Sequence, residues 1–75
     1  MMKVLCDFNK TEGSRGVDYA VVLHPKATPT EALVVGKRIV VIQPGEIECE
    51  AIVKHGRHHQ WVAEVVEDSM RFLDE

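Results

Sequence analysis

The sequence predicts a small, mainly β domain: a strongly bent five-stranded barrel with one short helical turn. Three observations lead there. Residues 47–54 alternate cleanly, with Ile47, Cys49, Ala51 and Val53 on one side and Glu48, Glu50 and Lys54 on the other, Ile52 being the misfit. The apolar content of 45% comes mainly from aliphatic residues, many of them β-branched, and only 5% of the chain is aromatic; β-branched side chains suit a half-buried pleated surface. Turn signals at Pro44-Gly45 and around Gly56 join three successive strand-like runs at hairpin spacing.

Lys3 to Phe8 alternates and reads as the first strand. Asn9 to Val17 is polar, contains Gly13, Ser14 and Gly16, and reads as a loop. Asp18 to His24 is the second strand, with Tyr19, Val21 and Leu23 on one face. Pro25 and Pro29 then exclude a long regular element. Thr28, Pro29 and Glu31 match a helix start with a capping hydroxyl, a proline at the first position and a glutamate at the third, and Gly36 ends it after one or two turns. Lys37 to Gln43 is a dense apolar run and the central strand. The alternating strand Ile47 to Lys54 and the loop His55 to His59 follow.

The last sixteen residues fit two periods. As a strand, Trp61, Ala63 and Val65 point inward, Asp68-Ser69 turns the chain, and Arg71-Phe72-Leu73 forms a short edge. As a helix over 60–75, the acidic residues also gather on one arc, which would make the domain an α+β fold with a four-stranded sheet. The strand is preferred: His58, His59 and Gln60 offer no good cap, the valines lower helix propensity, and the preceding strand needs an antiparallel partner.

Leu33-x-x-Gly36-x-x-Ile39-x-Val41, a turn with Gly45, alternation to Val53, then Trp61-x-Ala63-x-Val65 and a terminal Phe72-Leu73 together resemble an SH3-like barrel. The resemblance covers about half the chain. It implies a bent five-strand sheet closed by a short helical turn before the last strand, here at Asp68-Ser69-Met70. It also implies a binding role, since such barrels include peptide-binding, RNA-binding and ribosome-associated modules and subunits of larger complexes. The aromatic groove of the proline-binding members is not visible, because only Tyr19 and Trp61 could contribute.

Seventy-five residues make one domain, 1–75. The formal charge is −3 and uneven: residues 36–60 carry Lys37, Arg38, Lys54 and Arg57 against Glu46, Glu48 and Glu50, whereas residues 61–75 hold five acids against Arg71. An acidic whole argues against strong non-specific nucleic-acid binding. Two cysteines, Cys6 and Cys49, are too few for a disulfide-stapled scaffold and are read as buried apolar fillers. With no signal peptide and no apolar stretch of membrane-spanning length, the expected location is cytoplasmic with reduced thiols.

Two clusters carry candidate chemistry. His55-x-x-His58-His59 has imidazoles that could hold a metal, yet no nearby residue completes a ligand set, so an exposed hairpin tip is expected and no metal. Lys37, Arg38, Lys54, His55, Arg57 and His58 beside Trp61 form a basic group next to an aromatic, suited to an acidic protein segment or single-stranded nucleic acid. Gly13-Ser14-Arg15-Gly16 could wrap an anion through backbone N–H groups but lacks phosphate-loop spacing, so a flexible connector is expected. Neither cysteine nor Ser14 or Ser69 has a recognisable base beside it, so no enzyme activity and no cofactor are expected. The function expected is a non-catalytic protein-interaction module or accessory subunit, with a protein partner or homodimerisation. The alternatives are an RNA- or ribosome-associated barrel using the basic hairpin, and a metal- or anion-binding domain centred on the histidine loop.

Overall fold

The structure, a computed structural model, describes residues 1–57 and 60–73. It is mainly β, as the alternation predicts, with seven strands rather than five among the described residues: β1 (Lys3–Leu5), β2 (Thr11–Ser14), β3 (Val17–Val22), β4 (Arg38–Gln43), β5 (Ile47–His55), β6 (Trp61–Val65) and β7 (Arg71–Phe72). They form one sheet in the order β1-β4-β5-β6-β3-β2, with β7 also paired to β5. The β1–β4 pair is parallel and every other pair antiparallel. No helix among the described residues is long and apolar enough to cross a membrane.

β4 and β5 make the longest ladder, from Arg38 opposite Ile52 to Gln43 opposite Ile47. Pro44 and Gly45 sit in the centre of the four-residue turn between them, closed by the Glu46 N–H donating to the Gln43 carbonyl at 3.0 Å. β5 has nine residues, long enough for two strands to share its other edge. β6 takes Ala51 to His55, and β7 takes Ile47 and Glu48. Between them Val66 N–H donates to the Glu50 carbonyl (2.9 Å), and the Ser69 hydroxyl accepts the Glu50 N–H (2.8 Å). The tail therefore runs as strand, 3-10 turn (Glu67–Ser69) and strand, and no helix spans its described part. Long-range pairing with β5 overrides a helical period that the local sequence also satisfies.

The core is aliphatic. Val4, Val21, Leu23, Ala32, Ile39, Val41, Cys49, Ala51, Val53, Ala63 and Val65 form one buried cluster, and Phe8, Tyr19 and Trp61 pack half-buried against its margin. Cross-strand rows such as Ile39–Ala51–Val65 and Val21–Ala63–Val53 build its inner face. The predicted helix start is a single 3-10 turn, Thr30–Ala32, with Pro29 as its N-cap and no side-chain cap. The Thr28 hydroxyl is buried and has no hydrogen-bond partner among the described residues. The expected loop 9–17 contains β2, whose exposed, glycine-bearing sequence carries no apolar alternation.

Both cysteines are free, Cys49 buried and Cys6 half-buried. Burial, then the neighbouring Cys49, pushes the Cys6 thiol up to about 12. Burial, then Glu48, pushes Cys49 up to about 11. A thiol probe at pH 8 is expected to label the native chain roughly tenfold or more slowly than the urea-unfolded chain. A raised folded value favours the neutral thiol. Its contribution to stability is therefore complete below the unfolded value of 9.0 and is lost as pH climbs through 11 and 12. Equal labelling of native and unfolded chains would contradict this packing.

Candidate functional site

The residues that read as one basic group divide between places. Arg38 lies on β4, where its Nε donates to Glu50 at 2.7 Å. Lys37 precedes β4, and its carbonyl accepts the Val53 N–H at 2.9 Å. His55 and Trp61 stand opposite each other on β5 and β6, with ring centroids 4.4 Å apart and planes tilted by 42°. Trp61 is half-buried, packed against the core with the His55 ring beside it. Tyr19 is similarly covered, with the Arg15 guanidinium 5.9 Å above its ring. His58 and His59, and with them the metal-loop expectation, lie outside the described residues. Among the described residues no group of three His, Cys, Asp or Glu side chains is placed to hold a metal ion.

Lys54 and Arg57 do converge, at a crevice of about 300 Å³. It opens between the β2–β3 turn and the start of the β5–β6 loop and is lined by Glu12, Gly13, Asp18, Ala20, Lys54, His55, Gly56 and Arg57. Local backbone chemistry builds it. The β2–β3 ladder shifts register between Glu12 and Ser14, where Gly13 adopts φ +67°. Asp18, on the facing strand, takes φ +52°, a region aspartate tolerates better than most residues. Gly56 lets the loop close over β6, since a Cβ there would lie 2.6 Å from Val62 Cγ1 and 2.7 Å from Glu12 Oε1. The Glu12 carboxylate then ties β2 to the loop, accepting the Arg57 N–H at 3.1 and 3.2 Å and the Gln60 side-chain amide. Its lining joins buried Ala20 to the charged residues Glu12, Asp18, Lys54 and Arg57.

Charge around the molecule is largely spent on itself. Lys54 pairs with Glu64 (3.2 Å), Arg15 with Glu67 (2.6 Å), Arg38 with Glu50, and both Arg71 and Lys3 with Glu48. The hydrogen bond from Arg71, with Lys3 adding to it, holds Glu48 below the usual carboxylate range. Arg57 is the one arginine with no ion pair recorded among the described residues. In the Gly13-Ser14-Arg15-Gly16 segment the Arg15 Nε and one backbone N–H, that of Gly16, each donate to a Glu67 oxygen at 2.6 Å, so the segment is tied to the chain's own carboxylate and is not a free connector. That clamp lowers the Glu67 pKa, the Arg15 hydrogen bond being the larger cause.

A second crevice, about 360 Å³, is lined by Val40, Glu48, Cys49, Glu50, Asp68, Ser69 and Arg71. Its polar groups largely serve the fold. The Ser69 hydroxyl donates to the Val66 carbonyl at 2.6 Å while accepting from Glu50, so its proton is committed to the backbone. No protein-family model matches the chain, and neither a curated protein nor a solved structure matches it.

Proposed function

We propose that the chain is a non-catalytic protein-interaction module, or an accessory subunit, that takes an acidic peptide segment at the first crevice. Arg57 anchors a carboxylate there, and Lys54 contributes when it exchanges its intramolecular partner Glu64. The observation that carries this reading is the contrast among the arginines: Arg15, Arg38 and Arg71 each hold a carboxylate of the chain, whereas exposed Arg57 lines a crevice and has no ion pair among the described residues. A planar guanidinium with open donors favours bidentate carboxylate recognition. The RNA reading also needs Arg38, whose charge is already spent on Glu50.

The test is an amide-shift titration with an end-capped hexaglutamate peptide, its hexaglutamine counterpart, and a short single-stranded RNA. Hexaglutamate is expected to shift Gly13, Gly56 and Arg57, with affinity falling as salt rises. Arg57→Ala is expected to weaken it by about fivefold or more. Indifference to hexaglutamate, an equal response to hexaglutamine, or an unaltered Arg57→Ala variant would each overturn the proposal. Tighter binding of the RNA would transfer the site to a nucleic-acid partner.

A further inference from the structure

The path of the sheet ends at β1 and at β2. Exposed strand edges present unpaired N–H and C=O groups and are usually blunted by bulges, by short length or by outward charge. β2 carries the register shift and the left-handed Gly13. β7 has only two residues. β1 is regular, and its bonding to β4 runs past its own ends: Val40 N–H donates to the Met2 carbonyl (2.8 Å) and Cys6 N–H to the Ile42 carbonyl (2.9 Å). Met2, Val4 and Cys6 therefore face β4, and by strand alternation Lys3 and Leu5 turn their backbone groups to the free edge. Lys3, the charge that could guard this edge, leans across β4 toward Glu48, 3.7 Å away. Leu5 remains 64% exposed.

We infer that β1 pairs with β1 of a second copy of this chain, antiparallel, about a two-fold axis at Val4. In that register Lys3 of one copy faces Leu5 of the other, and the two residues exchange both N–H···O bonds. The axis repeats the pair, so all four outward donors and all four outward acceptors of Lys3 and Leu5 are matched. It is the one two-fold register that matches all of them among Lys3 and Leu5 alone. Each Leu5 comes to rest beside the aliphatic stem of Lys3 from the other copy. Leu5 also extends an outer face on which Ile42 stands beside it across β4 and Val40 lies two residues away. Charge agrees with the pairing. Lys3 is already balanced by Glu48, so the pairing brings no unpaired cation to the edge. The edge is short, so the dimer is a weak and reversible one.

Sedimentation velocity over roughly 10 µM to 1 mM tests this, with the mass expected to rise from 8.4 kDa toward twice that value. Hydrogen exchange supplies the position: the Lys3 and Leu5 amides gain protection as concentration rises, while Val4 and Cys6 are protected throughout. Leu5→Pro removes an outward N–H that the fold does not use, as proline is tolerated on a free edge, and is expected to hold the chain monomeric with its far-ultraviolet dichroism unchanged. A monomer throughout the range, a dimer that survives Leu5→Pro, or a dimer protected elsewhere than at Lys3 and Leu5 would overturn the inference. Should Leu5→Pro fail to fold, exchange on the unaltered chain still decides. The inference does not rest on the Arg57 crevice, so the hexaglutamate titration and the sedimentation experiment succeed or fail separately.

Discussion

Gly13→Ala is expected to lower the unfolding free energy by ~2–4 kcal/mol, a large share of what a domain of this size holds in total. Two effects add. The backbone at Gly13 has φ +67°, where an L side chain is strained. A Cβ there would also lie 2.3 Å from the Asp18 carbonyl oxygen and 2.7 Å from that of Val17. Those are backbone atoms of the facing strand and cannot swing aside as the end of a side chain can. The hairpin must open, and Glu12, one residue away, would lose its place beneath Arg57 and Gln60. Hexaglutamate binding should weaken with it. Ser14→Ala, at an exposed neighbouring position, is the control and is expected to shift stability by less than ~0.5 kcal/mol. Urea unfolding of the two variants decides; equal midpoints would mean that the register shift at Gly13 is not part of the folded hairpin.

Much of this fold is legible in the sequence wherever one face of a strand is buried and the other is wet. Ile47, Cys49, Ala51 and Val53 alternate because β5 separates the core from the charged outer face. The tail is less legible. Trp61 to Val65 satisfies two periods, and only its partner β5 chooses between them. β2 is hidden because an edge strand built from Thr11, Glu12, Gly13 and Ser14 buries little and has no pattern to show. The parallel pairing of β1 with β4 joins segments more than thirty residues apart, and nothing local encodes its register. The candidate site follows the same division. Lys54 and Arg57 are near in sequence and stay near in space, whereas Glu12 and Asp18 arrive from the distant hairpin. The one sequence signal for them is the glycine pair at 13 and 16, which marks a turn without saying what it faces.

Ile39→Ala is expected to cost ~3–4 kcal/mol, and Ile52→Ala less than ~1 kcal/mol, although both are isoleucines in adjacent strands. Ile39 is fully buried and stands opposite Ala51. Its cross-strand row continues to Val65, and Ala63 lies in the same core. Alanine neighbours have no atoms to move into the space that a truncated Ile39 leaves, so the cavity persists and its full penalty remains. Ile52 is 38% exposed on the outer face, between Arg38 of β4 and Glu64 of β6. Truncating it returns little apolar surface to water and opens no void. The comparison reads which face of β4 and β5 points inward, because a slip of one residue would exchange the two faces. Thermal or urea unfolding of the two variants would reveal such a slip as a reversed order of stabilities. That order would also turn Leu5 of β1 away from the face argued for it, and the two-fold edge pairing would lose its apolar contact.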